Sequence, residues 1–401
     1  MPEANLLSLF WEGFSLAHIE SATDNALTLR LAPMPTIAPC CSGCGQRTLA
    51  IHDVSLRRVR ERDLFDRRVW LQVPVRRVRC VDCGIRTESI PWLAGRRRMT
   101  AAMVSYVEAM TRLWPIGQVA ALLGLHWHTV RAIDHARLRR VVVAPDRSRL
   151  RRLMMDEFAL YKGHRYATVV ACADTQQVLW IGEGRSREAI QPFFEWLGDA
   201  CPQIEAVAMD MNTAFDLEVR AHCPNALVVY DLFHVIAKYG REVVDRVRVD
   251  QANALRHDAP ARRVVKRSRW LLLRNRDHLK AGQQVQLTEL LAANQALLTV
   301  YLLKDELKRL WRYRRAGWAK KAWQRWYEQA MASGIAALQR FAQRLKLYLH
   351  GILARCRHPL HTSVLEGINN TIKVIKRRAY GYRDQDYFFL KIKATFPGIP
   401  R

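Results

Sequence analysis

Up to about residue 95, apolar and polar positions alternate over brief runs separated by turn residues. That pattern predicts short strands and turns. Residues 100–140 change to a helical period. From Leu153 the pattern becomes strand-like again, in LMMDEF, RYATVVACAD and VLWIGEG. A helical stretch, SREAIQPFFEWLGDA, is followed by a strand (AVAMD), a helix and another strand (ALVVYD). Three strands, a helix, a strand, a helix and a strand form an α/β order. From about Lys238 to Leu349 the pattern is helical, basic and Trp-containing, with its clearest break around Ala259 and Pro260. A last helix is expected to begin near Ser363. No internal repeat and no low-complexity segment interrupts the chain.

A length of 401 residues suggests two or three domains, each large enough to bury a core. Lys and Arg number 64 against 37 acids, a formal net charge of +27. So large an excess repels itself and calls for a polyanionic partner. Nucleic acid fits better than a membrane, because no apolar run approaches the roughly 20 residues a span needs. The N-terminus MPEANLLSLFWEGF lacks the basic start of a secretory signal, so a cytoplasmic protein is expected. Of nine cysteines, Cys172, Cys201, Cys223 and Cys356 are scattered and read as reduced thiols.

The other five cysteines sit in two tight clusters. Cys41-Ser-Gly-Cys44-Gly45 and Cys80-Val-Asp-Cys83-Gly84 are matching knuckles, each placing two thiols on one turn that the following Gly closes. Four thiolates make a closed tetrahedral Zn²⁺ site, whose role in a small domain is folding. The alternative is a set of unligated thiols. Cys40 could replace Cys41 only by breaking the two-residue gap. Between the knuckles, RRVWLQVPVRRVRC is read as a basic hairpin.

PIGQVAALLGLHWHTVRAIDHARLRR has the layout of a helix-turn-helix. Val119, Ala120 and Leu123 give one apolar face, and Gly124 sits where positive φ is needed. The second helix would expose His126, His128, Arg131 and His135, followed by a basic run at Arg137, Arg139 and Arg140. A DNA reader places such residues in the major groove, with His128 and Arg131 as candidate contacts. A plain αα-hairpin is the alternative.

Three apolar strands carry acids. Asp156 lies inside Leu153–Phe158, beside Glu157 on the opposite strand face. Asp210 ends AVAMD, and Asp231 ends ALVVYD just before His234. Each strand-end Asp could simply cap the next helix, with His234 a structural hydrogen-bonder. Carboxylates on neighbouring strands can instead hold two Mg²⁺ ions for in-line phosphoryl displacement. Farther along, Trp311, Trp318, Trp323 and Trp326 lie among Lys and Arg residues. Cations neutralise phosphates and indoles stack on unpaired bases, although the same Trp residues could form a helical core. Trp311 and Trp318, seven apart, are expected to share a helix face, and Trp318 is the candidate for stacking.

These residues resemble a known family. MDEFALYKGHRYATVVACADTQQVLWIGEGRS, AVAMDM, PNALVVYDLFHVIAK and LEGINNTIKVIKRRAYGYRD are similar to the transposases of the ISL3 insertion sequences, over nearly the whole chain. The resemblance implies an RNase H-like catalytic domain, interrupted by an all-helical insertion, behind an N-terminal zinc ribbon and helix-turn-helix. It implies a catalytic triad of Asp156, Asp210 and Glu366 binding Mg²⁺ or Mn²⁺, an Asp-x-x-His element at Asp231 and His234, and Zn²⁺ at Cys41, Cys44, Cys80 and Cys83. Where relatives often carry Asp in the second strand, this chain has Cys172 before Asp174, outside the triad.

The expected divisions of this multidomain α/β chain are 1–95 (ribbon), 96–145 (helix-turn-helix), 150–237 and 350–401 (the two catalytic parts) and 238–349 (insertion). The implied activity is cleavage and joining of DNA at terminal inverted repeats, by a homodimer or higher oligomer that brings two ends together. A non-catalytic DNA-binding regulator and a nuclease without joining activity are the competing readings. Glu366 itself has two readings. Ser363-Val364-Leu365-Glu366 fits a capping box. Helical spacing also aligns Glu366, Asn370, Lys373 and Arg377 on one face, suited to a phosphodiester backbone entering a metal site.

Overall fold

Alternation before residue 95 produces five strands: β1 (Phe14–Ala22), β2 (Ala26–Pro33), β3 (Ile51–Arg60), β4 (Arg68–Cys80) and β5 (Gly84–Thr87). Their order is β1-β2-β4-β3, with β5 pairing on β4; β2 and β4 run parallel and the other neighbours antiparallel. The segment RRVWLQVPVRRVRC is therefore not a hairpin. It forms one 13-residue strand, β4, whose hairpin partner is β3. The reason lies in its period-two run: Val69, Leu71, Val73 and Val75 all enter the core, and a central turn would break that face.

Three helices follow: α1 (Ala101–Leu113), α2 (Ile116–Leu123) and α3 (Trp127–Val141). Thr100 caps α1 by accepting from the Met103 N–H at 3.1 Å. Gly124 ends α2 at φ 61°, ψ 36°, and a Cβ there would lie 2.4 Å from the Arg68 guanidinium carbon. The left-handed backbone is what favours glycine, since the guanidinium is the free end of a flexible side chain and can move aside. Buried Arg60 donates to the Val69 and Leu123 carbonyls at 3.2 and 3.4 Å, tying the sheet to the end of α2.

The computed structural model describes residues 10–95, 97–161 and 163–399. It divides the chain into two units, Met1–Val141 with Arg378–Gly381 and Val142–Arg377 with Tyr382–Arg401. The second unit is built on β6 (Arg152–Tyr161), β7 (Arg165–Cys172), β8 (Val178–Glu183), β9 (Ala206–Met209) and β10 (Leu227–Tyr230), in the order β10-β9-β6-β7-β8. β6, β7 and β8 form an antiparallel meander, while β9 and β10 run parallel to β6. On one face α4 (Arg187–Leu197) and α5 (Thr213–His222) pack Ile190, Phe193 and Phe215 against Leu153, Met155 and Met209.

After β10 come α6 (Leu232–Tyr239), α7 (Asp245–Ala254), α8 (Ala259–Arg267), α9 (Arg269–Leu273), α10 (Ala281–Ala293), α11 (Gln295–Arg309), α12 (Ala316–Ala332), α13 (Ala336–Lys346) and α14 (Leu349–Ala354). The expected break near Ala259 separates α7 from α8, with Asp258 capping and Pro260 in the first turn. The chain then returns to the sheet. α15 (Ser363–Arg378) and α16 (Gln385–Thr395) cover its second face, where Leu365, Ile368, Ile372, Phe388 and Ile392 meet Met154, Phe158 and Ala208. The helix expected from Ser363 is thus not the last. Tyr380 and Gly381 take positive φ, and Asp384 caps a new helix.

Helices α6–α14 have a core of their own, which includes Trp323 and Trp326. Trp311 also joins it and does not share a helix face with Trp318. It lies in a short 3-10 turn, Leu310–Arg312, and the chain redirects before α12 begins. Trp311 and Trp326 donate their indole N–H to the Tyr230 and Leu303 carbonyls at 3.3 and 2.8 Å. Trp318 alone of the four is exposed, at 58%, with Lys321 5.3 Å from its ring. Among the described residues no helix is long and apolar enough to cross a membrane. Trp326→Ala should lower unfolding free energy by about 3–5 kcal/mol. Trp318→Ala should change it by less than about 0.5 kcal/mol, both read by denaturant titration.

Candidate functional site

Strand register sets out the acidic site. Met155 pairs with Met209, and Met209 with Tyr230. The next residue on each of these three strands is an aspartate: Asp156, Asp210 and Asp231. Parallel neighbours lie about 4.8 Å apart, so register alone draws the three into a row. β9 and β10 stop there, while β6 continues to Tyr161 because β7 pairs along it. Alternation turns Asp156, with Met154 and Phe158, toward α15, and Asp210 has the same parity as Ala208 in that layer. Glu157 faces the other way, accepting from Arg185 at 3.2 Å and Asn212 at 3.4 Å.

The three aspartates are held differently. Asp156 Oδ1 accepts the Glu157 backbone N–H at 2.8 Å, and its Oδ2 accepts the Asn369 amide, also at 2.8 Å. Asp210 Oδ2 meets His234 Nδ1 at 2.6 Å, while its Oδ1 is buried without a partner. Asp231 is engaged at both oxygens by backbone N–H groups, Phe233 at 2.7 Å and Thr362 at 2.8 Å. It caps α6 and tethers the start of α15.

Partial burial, and then the neighbouring Asp210 carboxylate, push Asp156 up to about 7. At His234 burial opposes the charge. The hydrogen bond and the field of Asp210 outweigh it and raise the imidazole above its ordinary value. An open cavity of about 490 Å³ adjoins Asp210 and His234, and Arg185, Lys238 and Arg241 also line it. A divalent cation among Asp156 and Asp210 would relieve their repulsion and supply the missing partner of Asp210 Oδ1, so the donor set fits such an ion.

Glu366 is exposed on α15. Among the described residues only the four cysteines bring their ligand atoms all within 4.8 Å of one another, so Asp156, Asp210 and Glu366 do not all come that close together. Asn369, three residues on and thus on nearly the same helix face, is the residue that reaches Asp156. Ser363 Oγ contacts His361 Nδ1 at 2.5 Å. Asn370, aligned in the sequence reading with Glu366, is exposed and accepts from Lys373 at 3.3 Å; Lys373 and Arg377 are also exposed. Sequence reasoning passed over Asn369. The signal was present as a polar residue within the buried stripe Leu365, Ile368, Asn369, Ile372.

In the first unit the ligand atoms of Cys41, Cys44, Cys80 and Cys83 all lie within 4.8 Å of one another. Gly45 and Gly84 close the knuckles at φ 79° and 69°. Cys40 is turned away, donating to the Gly45 carbonyl at 3.0 Å. Amide N–H groups of Cys44 and Gly43 hold Cys41 down to about 7, while crowding by Cys44 pushes Cys83 up to about 12. Four thiolates cannot coexist here without a cation, and the set suits Zn²⁺.

Val119, Ala120 and Leu123 are buried, and His126, Trp127 and His128 are exposed at the start of α3. His126 and His128 stack at 5.2 Å, and Arg131, half-buried, lies 6.0 Å from the Trp127 ring. The expected basic run is not one surface. Arg137 turns inward to buried Asp134 at 2.8 Å, because its position falls on the apolar stripe with Val130, Ile133 and Leu138. Arg140 pairs with Glu108 at 2.7 Å, leaving Arg139 outward.

Asp231 and Asp156 should respond oppositely to neutralisation. Asp231→Ala removes a cap and a tether and should lower stability by about 2 kcal/mol. Asp156→Asn removes a charge that its partly buried setting disfavours at neutral pH. It should leave the melting temperature, measured without added Mg²⁺, unchanged or higher.

Residues 37–83 match the zinc-finger of the IS204/IS1001/IS1096/IS1165 transposases, and residues 88–138 the helix-turn-helix domain of transposase family ISL3. Residues 153–392 match the ISL3 family description "Transposase". The transposase for insertion sequence element IS1001 of Bordetella parapertussis is 58% identical over 394 residues, 98% of this chain and 97% of that protein. The transposase for IS1557 of Mycobacterium tuberculosis is 27% identical, over 94% of this chain and 90% of its own. The Drosophila P element transposase strand transfer complex aligns with a TM-score of 0.36 and 11% identity over 72% of this chain and 90% of that one, too distant a likeness to reason from. With its three segments matched in order and a relative this similar along its whole length, the chain belongs to the ISL3 family of transposases.

Proposed function

We propose that this transposase binds the terminal inverted repeats of its insertion sequence and cuts and joins DNA strands at a metal site formed by Asp156, Asp210 and Glu366. The observation that carries the reading is the in-register placement of Asp156 and Asp210 on adjacent strands beneath α15, with one Asp210 oxygen buried and unpartnered. We read the five-stranded sheet with α15 and α16 as an RNase H-like core, in two parts at 150–237 and 350–401, and residues 238–349 as its helical insertion.

A divalent cation, Mg²⁺ or Mn²⁺, activates a water or sugar hydroxyl and stabilises the leaving oxygen when bound. The chain's own residues prepare the place. Asp156 and Asp210 supply charged oxygens from rigid strands. His234 fixes the rotamer of Asp210 through its Nδ1 contact. Glu366 supplies the third carboxylate from one helical turn before Asn369. Lys373 and Arg377, exposed farther along α15, hold phosphates of the strand entering the site. Zn²⁺ on the four cysteines folds the ribbon. His128 and Arg131 read the ends, and Trp318 stacks on a base there. Two ends have to be joined, so a homodimer or higher oligomer on DNA is the working assembly, in the bacterial cytoplasm.

Metal-dependent cleavage of a duplex carrying the element's own ends tests the site. Asp156→Asn, Asp210→Asn and Glu366→Gln should each bind ends and fail to cut, while Ser363→Ala should still cut. Cleavage near the wild-type rate in any of the first three variants would remove that residue from the site. Intact binding with no cleavage by the wild-type protein, whatever metal is supplied, would favour a regulator.

Zinc has a separate check. Elemental analysis should find about one Zn²⁺ per chain. Cys44→Ser or Cys83→Ser should lose both the metal and the preference for ends. Folded wild-type protein free of zinc would overturn the assignment.

A further inference from the structure

Two buried oxygens at this site have no hydrogen-bond partner: Asp210 Oδ1 and Asn369 Oδ1. Native proteins pair nearly all such atoms, and an unpaired one costs about 1–3 kcal/mol. Asn369 lies in an otherwise apolar stripe with Leu365, Ile368 and Ile372, where an apolar side chain would carry no unpaired oxygen of its own. Its polarity therefore has another reason. Asn369 Nδ2 donates to Asp156 Oδ2 at 2.8 Å, so the unpaired oxygen of the same planar amide sits beside the carboxylate row. The amide's orientation follows from its neighbour. Turning it over would set oxygen against a carboxylate oxygen, which is repulsive while Asp156 is charged.

We propose that Asn369 belongs to the metal site, with its Nδ2 holding Asp156 in position and its Oδ1 offered as a neutral oxygen donor to the divalent cation or to a water on it. The inference rests on Asp156 and Asp210 being the metal ligands. Hard cations take amide oxygens alongside carboxylates. A neutral donor suits this place better than a further acid. Asp156 and Asp210 already repel each other, and a third negative charge inside the stripe would add to that repulsion. Asn369 also lies three residues after Glu366. The carboxylate and the amide therefore lie on nearly one helix face, on a turn fixed by Leu365 and Ile368 in the core.

The test is Mn²⁺ binding by zinc-loaded, full-length protein on its end duplex, with free Mn²⁺ read by electron paramagnetic resonance. Asn369→Leu keeps the branched shape of the side chain, at a larger volume, and removes both polar atoms. It should fold, bind ends normally and lose Mn²⁺ affinity by about 10–100-fold. Its cleavage should need correspondingly more metal. Should leucine overpack, Asn369→Ala carries the same expectation for Mn²⁺. Wild-type Mn²⁺ affinity in a folded variant of either kind overturns the inference, even if cleavage falls. Asp156→Asn separates the two levels. If it keeps wild-type Mn²⁺ affinity, the carboxylate site itself is wrong. If it loses Mn²⁺ while Asn369→Leu does not, only the role of Asn369 fails.

Discussion

The second unit is organised around one electrostatic conflict: two aspartates on neighbouring strands beneath a helix. Charges a few ångströms apart repel strongly once water is thinned out around them. Asp156 cannot withdraw, because β6 is paired on both sides and extends past it. Asp210 cannot turn to solvent freely, because His234 holds one of its oxygens. The fold keeps the conflict in place with apolar packing: Met154, Phe158 and Ala208 from the sheet meet Leu365 and Ile368 from α15. What would be a defect in a storage protein is here a standing attraction for a doubly charged ion.

Some of this could be read along the chain because the pattern is local. The cysteine knuckles, the positive-φ glycine after α2 and the aspartates following apolar runs each occupy a few consecutive residues, and short-range chemistry fixes them. The features that escaped depend on distant partners. β4 looked like a hairpin because the long gap between the knuckles fits one, and its pairing with β2 and β3 shows it to be a single strand. Arg137 looked like part of a basic surface until helical phase placed it against Asp134. Asn369 and Asn370 are adjacent in the sequence, and a rotation of about 100° decides which of them meets Asp156. That rotation is set by where α15 lands on the sheet.

The same dependence on phase governs the positive charge. A formal excess of +27 overstates what a polyanion meets, because several cations are spent inward. Arg76 and Glu88 form a buried pair at 2.7 Å, Arg60 serves carbonyls in the first unit, and Lys304 is buried on the Leu272 carbonyl at 2.5 Å. Lys373, Arg377 and Arg139 remain outward on helices, which present rows of charge at fixed spacing. Placement, more than total, determines what the surface can hold.

Asp231 binds the chain at two points far apart in sequence. Its carboxylate holds the start of α6 with one oxygen and the Thr362 N–H with the other. Everything between those points leaves and re-enters the sheet through the same small doorway. The arrangement resembles a purse closed by a single clasp, whose contents can change while the clasp stays shut. Helices α7–α13 could be lengthened, shortened or exchanged over evolutionary time, and α15 would still start from the same point beside the sheet. Diversity in how such enzymes handle their DNA can then accumulate in the bag, while the chemistry is inherited unaltered at the rim.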